Sequence, residues 1–128
     1  MVCMSGRPEK ILVGYDGSDG AQKALEAAAA LVGYGSRLAV AAVTTAEAHS
    51  ANVLLSEARE TLLHQQVPAA YLPLVGDPAD ELVDAAWDID ADLVVVGIRS
   101  GNGGWQSSLG SVSDEVVRRA PCDVLVVR

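Results

Sequence analysis

The chain has 128 residues, half of them apolar, a formal net charge of −8 and no phenylalanine, so one domain with a core of Val, Leu, Ala and Ile is expected. The negative charge and the absence of a basic cluster argue against binding to a nucleic-acid backbone, which needs positive charge to displace counterions. No apolar run approaches a membrane span and the opening MVCMSGRPEK has no apolar signal region, so a cytoplasmic protein without membrane contact is expected.

Residues 1–9 read as a flexible start and residues 10–128 as the folded domain. Residues 11–15 (ILVGY) are a short apolar run of the kind buried in a parallel sheet. The turn Asp16-Gly17-Ser18-Asp19-Gly20 follows, then a helix over about 21–32 with Ala24, Leu25, Ala28, Leu31 and Val32 on one face and Gly33-Tyr34-Gly35 stopping it. Residues 37–43 form the next strand and complete a strand–helix–strand unit. Residues 46–66 are again helical, with Val53, Leu54, Ala58 and Leu62 marking the inward side. A third strand is expected over 69–75, against the signal of Pro68 before it and Pro73 within it.

Gly76-Asp77-Pro78 opens a third helix: Asp77 as cap, Pro78 in the first turn, Asp80 and Glu81 near the positive end, and Leu82, Val83, Ala86 and Ile89 inward. Strands over 93–97 and 123–127 complete the pattern. Strands alternating with helices imply an α/β fold: one mostly parallel sheet with helices on both faces.

The stretch of greatest chemical interest is residues 94–112, VVVGIRSGNGGWQSSLGSV: a buried strand, a glycine-rich loop and a helix start. Ser111 and Asp114 have the spacing of a capping box ahead of Val112, Val116, Val117 and Ala120, so a fourth helix begins near Ser111. Its free N–H groups and positive dipole end face the glycines, which favours an anion. Gly101, Gly103 and Gly104 let backbone approach a ligand closely, and together these features suit a phosphate group. The same composition also serves as a plain connection with an ordinary serine cap.

Spacing sharpens the choice. Gly97, two residues, Ser100, nine residues, then Gly110-Ser111, with the ending APCDVLVV, resembles the nucleotide signature of the universal stress protein family. Three of the four signature positions match, and Ser100 stands where the ATP-binding members have glycine. The resemblance covers residues 11–128. It implies a doubly wound, five-stranded parallel sheet in order 3-2-1-4-5, with the loops after strands one and four adjacent where the order reverses, the usual ligand position in open α/β sheets. It further implies ATP as ligand, with an accompanying Mg²⁺ left open. Gly14 and Val43 would lie against the adenine, Asp16 would accept from ribose hydroxyls or the adenine amino group, and Gly97, Ser100, Gly110, Ser111, Val112 and Ser113 would surround the phosphates. Asp16 is equally an ordinary turn aspartate and Val43 an ordinary core residue on the residues alone. Arg99 is either a phosphate partner or a surface charge, and Trp105 either a lid or an anchor.

The apolar last strand (VLVV, 124–127) would lie at a sheet edge, which invites pairing with another chain; in the family this gives a homodimer, and one is expected here. The function implied is that of a stress-response regulatory protein binding an adenine nucleotide, with any ATP hydrolysis slow and incidental. The alternative is a dimeric interaction module of the same family that does not bind nucleotide, marked by Ser100. No Walker A sequence is present, Gly14, Gly17 and Gly20 lack the spacing of a dinucleotide fingerprint, and the chain ends on its fifth strand without the final helix of a receiver domain. His49 and His64 have no partners at metal-ligand spacing, and Cys3 and Cys122 make no disulfide framework.

Overall fold

A computed structural model of the chain describes residues 9–33, 35–98 and 111–128. The element order is β1 (Lys10–Gly14), α1 (Asp19–Leu31), β2 (Arg37–Thr44), α2 (Ala48–His64), β3 (Ala70–Val75), α3 (Pro78–Asp88), β4 (Leu93–Gly97), α4 (Ser111–Arg119) and β5 (Asp123–Val127). All described strand pairs are parallel and the sheet order is β3-β2-β1-β4-β5. The expected doubly wound, five-stranded sheet is therefore present.

Alternation along the strands sends successive side chains to opposite faces, and each face has its own core. Ile11, Val13, Val40 and Val95 pack with Leu25 and Ala28 of α1 and with Leu55, Ala58 and Leu62 of α2. Leu12, Ala41, Val94 and Val96 pack with Leu82 and Ala86 of α3 and Val116 of α4. Alanines at many helix contacts let these helices sit close to a sheet that has no phenylalanine to fill wider gaps.

Three local details depart from the periodicity reading. Helix α1 starts at Asp19, ahead of residue 21, because the Ser18 hydroxyl accepts the Ala21 N–H at 3.1 Å and caps it. The inward stripe of α2 is Ala51, Leu55, Ala58 and Leu62, spaced four, three and four, which leaves Val53 on the outer side and 49% exposed. Val117 of α4 is likewise exposed beside the fully buried Val116. The proline in β3 fits because Pro73 is registered with Ala42, whose backbone groups bond its neighbours; the missing N–H thus faces the outer edge of this edge strand.

At the amino ends of the strands, the Asp92 carboxylate accepts the N–H groups of Glu9 and Lys10, each at 2.9 Å, and so aligns the start of β1 with that of β4. At the carboxyl ends the contact is backbone on backbone. A Cβ placed on Gly20 would overlap the carbonyl of Ile98, and one placed on Gly97 would overlap the carbonyl of Gly20. Two bare residues therefore let the first turn of α1 rest directly on the end of β4.

Tyr15, 5% exposed, ties this region to α2. Its hydroxyl lies 3.3 Å from Glu57 Oε1 and 3.4 Å from Gln22 Oε1, while Gln22 Nε2 donates to Thr61 at 3.1 Å. Burial, followed by the negative charge and hydrogen bond of Glu57 and the charge of Asp16, pushes the Tyr15 phenol up to about 12.

Gly20→Ala is expected to destabilise the fold by about 1–3 kcal/mol, the usual penalty of overpacking, in urea unfolding. Val53→Ala should change stability by under about 0.5 kcal/mol in the same assay. For Tyr15, a folded-state pKa above the unfolded value of about 10 means that its contribution is complete below pH 10 and is lost as pH rises toward 12. Denaturation followed from pH 9 to pH 12 should show the wild type losing stability across that window more steeply than Tyr15→Phe.

Candidate functional site

Beyond the carboxyl ends of the strands lies a cleft of about 420 Å³, a size that suits a small organic ligand. It lies where β1, with β2 on one side and β4 on the other, hands the chain to α1 on one face of the sheet while β4 precedes α4 on the other. Gly14, Tyr15 and Asp16 enter from β1, Ala41, Val43, Thr44 and Thr45 from β2, and Val96 and Gly97 from β4. Ala21 of α1, Pro78 and Leu82 of α3, and Val112 and Ser113 of α4 close the walls.

The strand register gives this cleft its polar edge. Ala41 O accepts the Tyr15 N–H at 2.8 Å, on the β1 side, and Thr44 O accepts the Gly76 N–H at 2.8 Å, on the β3 side. Because backbone groups alternate along a parallel strand, those of Val43 point the same way as those of Ala41. The β1 ladder ends at Gly14 opposite Ala41, so Val43 aims an N–H and a C=O at the space where β1 has turned away. That pair is complementary to a planar edge presenting one acceptor beside one donor. Apolar side chains of Val43, Leu82 and Pro78 surround it.

Gly14 makes room for this wall: a Cβ there would press on the Leu82 side chain at 3.0 and 3.3 Å. Asp16 takes the turn role and also stands in the lining. Its Oδ1 accepts from the Ser18 N–H at 3.0 Å and from the Ser18 hydroxyl at 2.6 Å, which builds the turn, while the exposed residue also lines the cleft. Gly97 lines the cleft too, although its bareness is used against Gly20. Ser113 is buried at 3% exposure on the wall formed by α4. Ser111 begins α4, as the capping-box spacing predicts.

Of the residues singled out by sequence, Gly14, Asp16, Val43, Gly97, Val112 and Ser113 are thus brought together. Ser100 and Gly110 lie outside the described residues, as do Arg99 and Trp105. Leu82 and Pro78 were legible only as core and helix-start residues, and Thr44 and Thr45 carried no signal. The Thr44 hydroxyl donates to the Glu47 carbonyl at 3.0 Å and so holds the turn into α2.

Other chemistry has less to stand on. Among the described residues no group of three or more His, Cys, Asp or Glu is arranged to hold a metal ion. His49 and His64 are exposed. Cys122 is a half-buried free thiol whose pKa is raised by burial and then by the charges of Asp123 and Asp92, the opposite of the shift that activates a thiolate nucleophile. No described helix is long and apolar enough to cross a membrane.

Comparison with known proteins agrees with this architecture. A universal stress protein of Mycobacterium tuberculosis is 33% identical over an alignment covering 91% of this chain and 94% of that protein. A universal stress protein solved in complex with cAMP superposes with a TM-score of 0.75 at 32% identity, covering 96% of this chain and 98% of the other. The universal stress protein of Archaeoglobus fulgidus in complex with dAMP gives a TM-score of 0.72 at 25% identity, covering 94% and 98%. The model of the universal stress protein family matches residues 8–128. With the family's match spanning both the sheet and the cleft, this chain belongs to the universal stress protein family.

Proposed function

We propose that the chain is a stress-response regulatory protein that binds an adenine nucleotide, ATP among them, in the cleft at the ends of β1 and β4. The observation that carries the proposal is the aim of the Val43 backbone. Adenine presents an amino donor beside a ring-nitrogen acceptor, which matches a C=O beside an N–H; guanine presents the reverse at the corresponding positions and would set like against like. Leu82 and Pro78 line the cleft with Val43 and would flank a ring held there, and Asp16, also in the lining, is proposed to accept from a ribose hydroxyl. The family relatives solved with cAMP and with dAMP support the adenosine part of this reading.

The residues proposed to reach the phosphates are Gly97, Ser100, Gly110, Ser111, Val112 and Ser113. A serine at position 100 keeps a hydroxyl donor for phosphate, and Gly101 beside it supplies a residue without Cβ. Binding would act by stabilising one conformation of the cleft, and hydrolysis is not required. The chain is also proposed to work in the cytoplasm as a homodimer through β5, an edge strand whose Leu125 is 38% exposed.

A ligand that binds only the native state stabilises it, by about 2.7 kcal/mol at a hundredfold excess over Kd. Thermal unfolding should therefore shift upward with adenine nucleotides and not with guanine nucleotides. Asp16→Ala should weaken binding about tenfold or more, as loss of a hydrogen bond to a charged group does. No shift with any adenine nucleotide would reject the reading and favour the nucleotide-free interaction module. For the dimer, sedimentation should give twice the monomer mass, and Leu125→Arg should halve it; a monomeric wild type would end that proposal.

A further inference from the structure

We infer that the end of β1, with Leu82 lying over Gly14, sets a size limit at C2 of a bound adenine ring, so that the cleft rejects purines carrying a bulky group there. The inference rests on the adenine-nucleotide reading above and assigns Leu82 a part in deciding which purines are accepted.

The direction of β2 fixes which way the ring would face. The strand runs toward the mouth of the cleft, and in each residue the N–H precedes the C=O. On the side facing β1, the order toward the mouth is therefore Ala41 C=O, already taken by the Tyr15 N–H at 2.8 Å, then Val43 N–H, then Val43 C=O. Adenine has two edges that set a ring-nitrogen acceptor beside the amino group, one through N1 and one through N7. On either edge the amino group would go to the outer C=O and the ring nitrogen to the inner N–H. The atom beyond that nitrogen would then point at the end of β1. On the N7 edge this atom is C8, bonded to the nitrogen that carries the ribose, and the sugar would be driven into the sheet. On the N1 edge it is C2, which bears only a hydrogen, and the ribose would leave on the far side, toward β4.

The surface that C2 would meet is closed. Ala41 is registered with Gly14, and the Leu12–Val94 pairing, continued by two residues, sets Val96 on the other side of Gly14. These residues of three adjacent strands line the inner end of the cleft. Ala41, Val96 and Leu82 are all buried. Leu82 seals the layer from α3, since its two methyl carbons lie 3.0 and 3.3 Å from where a Cβ on Gly14 would stand. A group on C2 would have to displace packed side chains. At the opposite end Thr45 is exposed, and the N7 side of the ring would face that opening.

Calorimetric titration of the full chain with AMP and ATP, and with the 2-methylthio and 7-deaza forms of each, tests this. The 7-deaza nucleotides, which lack the N7 acceptor, should bind as their parents do. The 2-methylthio forms should bind about ten- to a hundredfold more weakly, the effect of overpacking a closed site. Leu82→Ala removes the seal and should shrink that ratio by about tenfold, with Leu82→Val, a smaller truncation, moving it the same way by less. A wild type that binds the 2-methylthio forms as tightly as their parents would overturn the inference with the adenine reading intact, as would a ratio unchanged in both variants when folded. Loss of binding with the 7-deaza forms would put N7 against Val43 and overturn it as well. No binding of any of these nucleotides would overturn both.

Discussion

The contact between the backbones of Gly20 and Gly97 sets the geometry on which the cleft depends. A side chain on either residue would meet a carbonyl of the other segment, so α1 reaches its place on the sheet only because both are bare. With α1 seated there, Ala21 becomes a wall of the cleft and the turn at Asp16 is held at its rim. The cap at Ser18 and the Asp16 turn are one relay: the hydroxyl donates to the carboxylate and accepts from the helix. A glycine pair, a serine and an aspartate thus shape the cleft at the carboxyl ends of β1 and β4.

The groups proposed to read the ligand are mostly backbone. A parallel strand that outlasts its neighbour leaves hydrogen-bonding groups directed at empty space, and β2 outlasts β1 by the residues from Ala42 to Thr44. The side chains around Val43 supply shape and dryness. Such a site tolerates many side-chain changes and is sensitive to changes in strand length or register.

Much of this was legible in the sequence. Apolar runs of five to eight residues, separated by helical periodicity, imposed the parallel sheet, and the Asp77-Pro78 start of α3 and the Ser111 start of α4 stand where their spacing placed them. The family signature led to Gly97 and to the wall formed by α4. Val53 misled because it adjoins the apolar pair Leu54-Leu55, and Val117 because it follows Val116, so each reads as part of an apolar stripe although its neighbours four residues away (His49 and Glu57, or Ser113) are polar. Leu82 and Pro78 could not be seen as site residues, since their part in the cleft depends on α3 lying over Gly14, a contact between residues far apart in the chain. The role of Gly20 was hidden for the same reason. Gly97 carried a phosphate-loop reading, while the packing that requires its bareness is a tertiary fact.

Backbone amide resonances of isotope-labelled protein titrated with AMP test most directly the proposal that the end of β2 reads adenine. Saturable shifts at Val43 and Thr44, accompanied by Gly14, Asp16 and Ser113 and absent with GMP, are the predicted result. Shifts that leave Val43 and its neighbours unmoved, or equal responses to AMP and GMP, would contradict it.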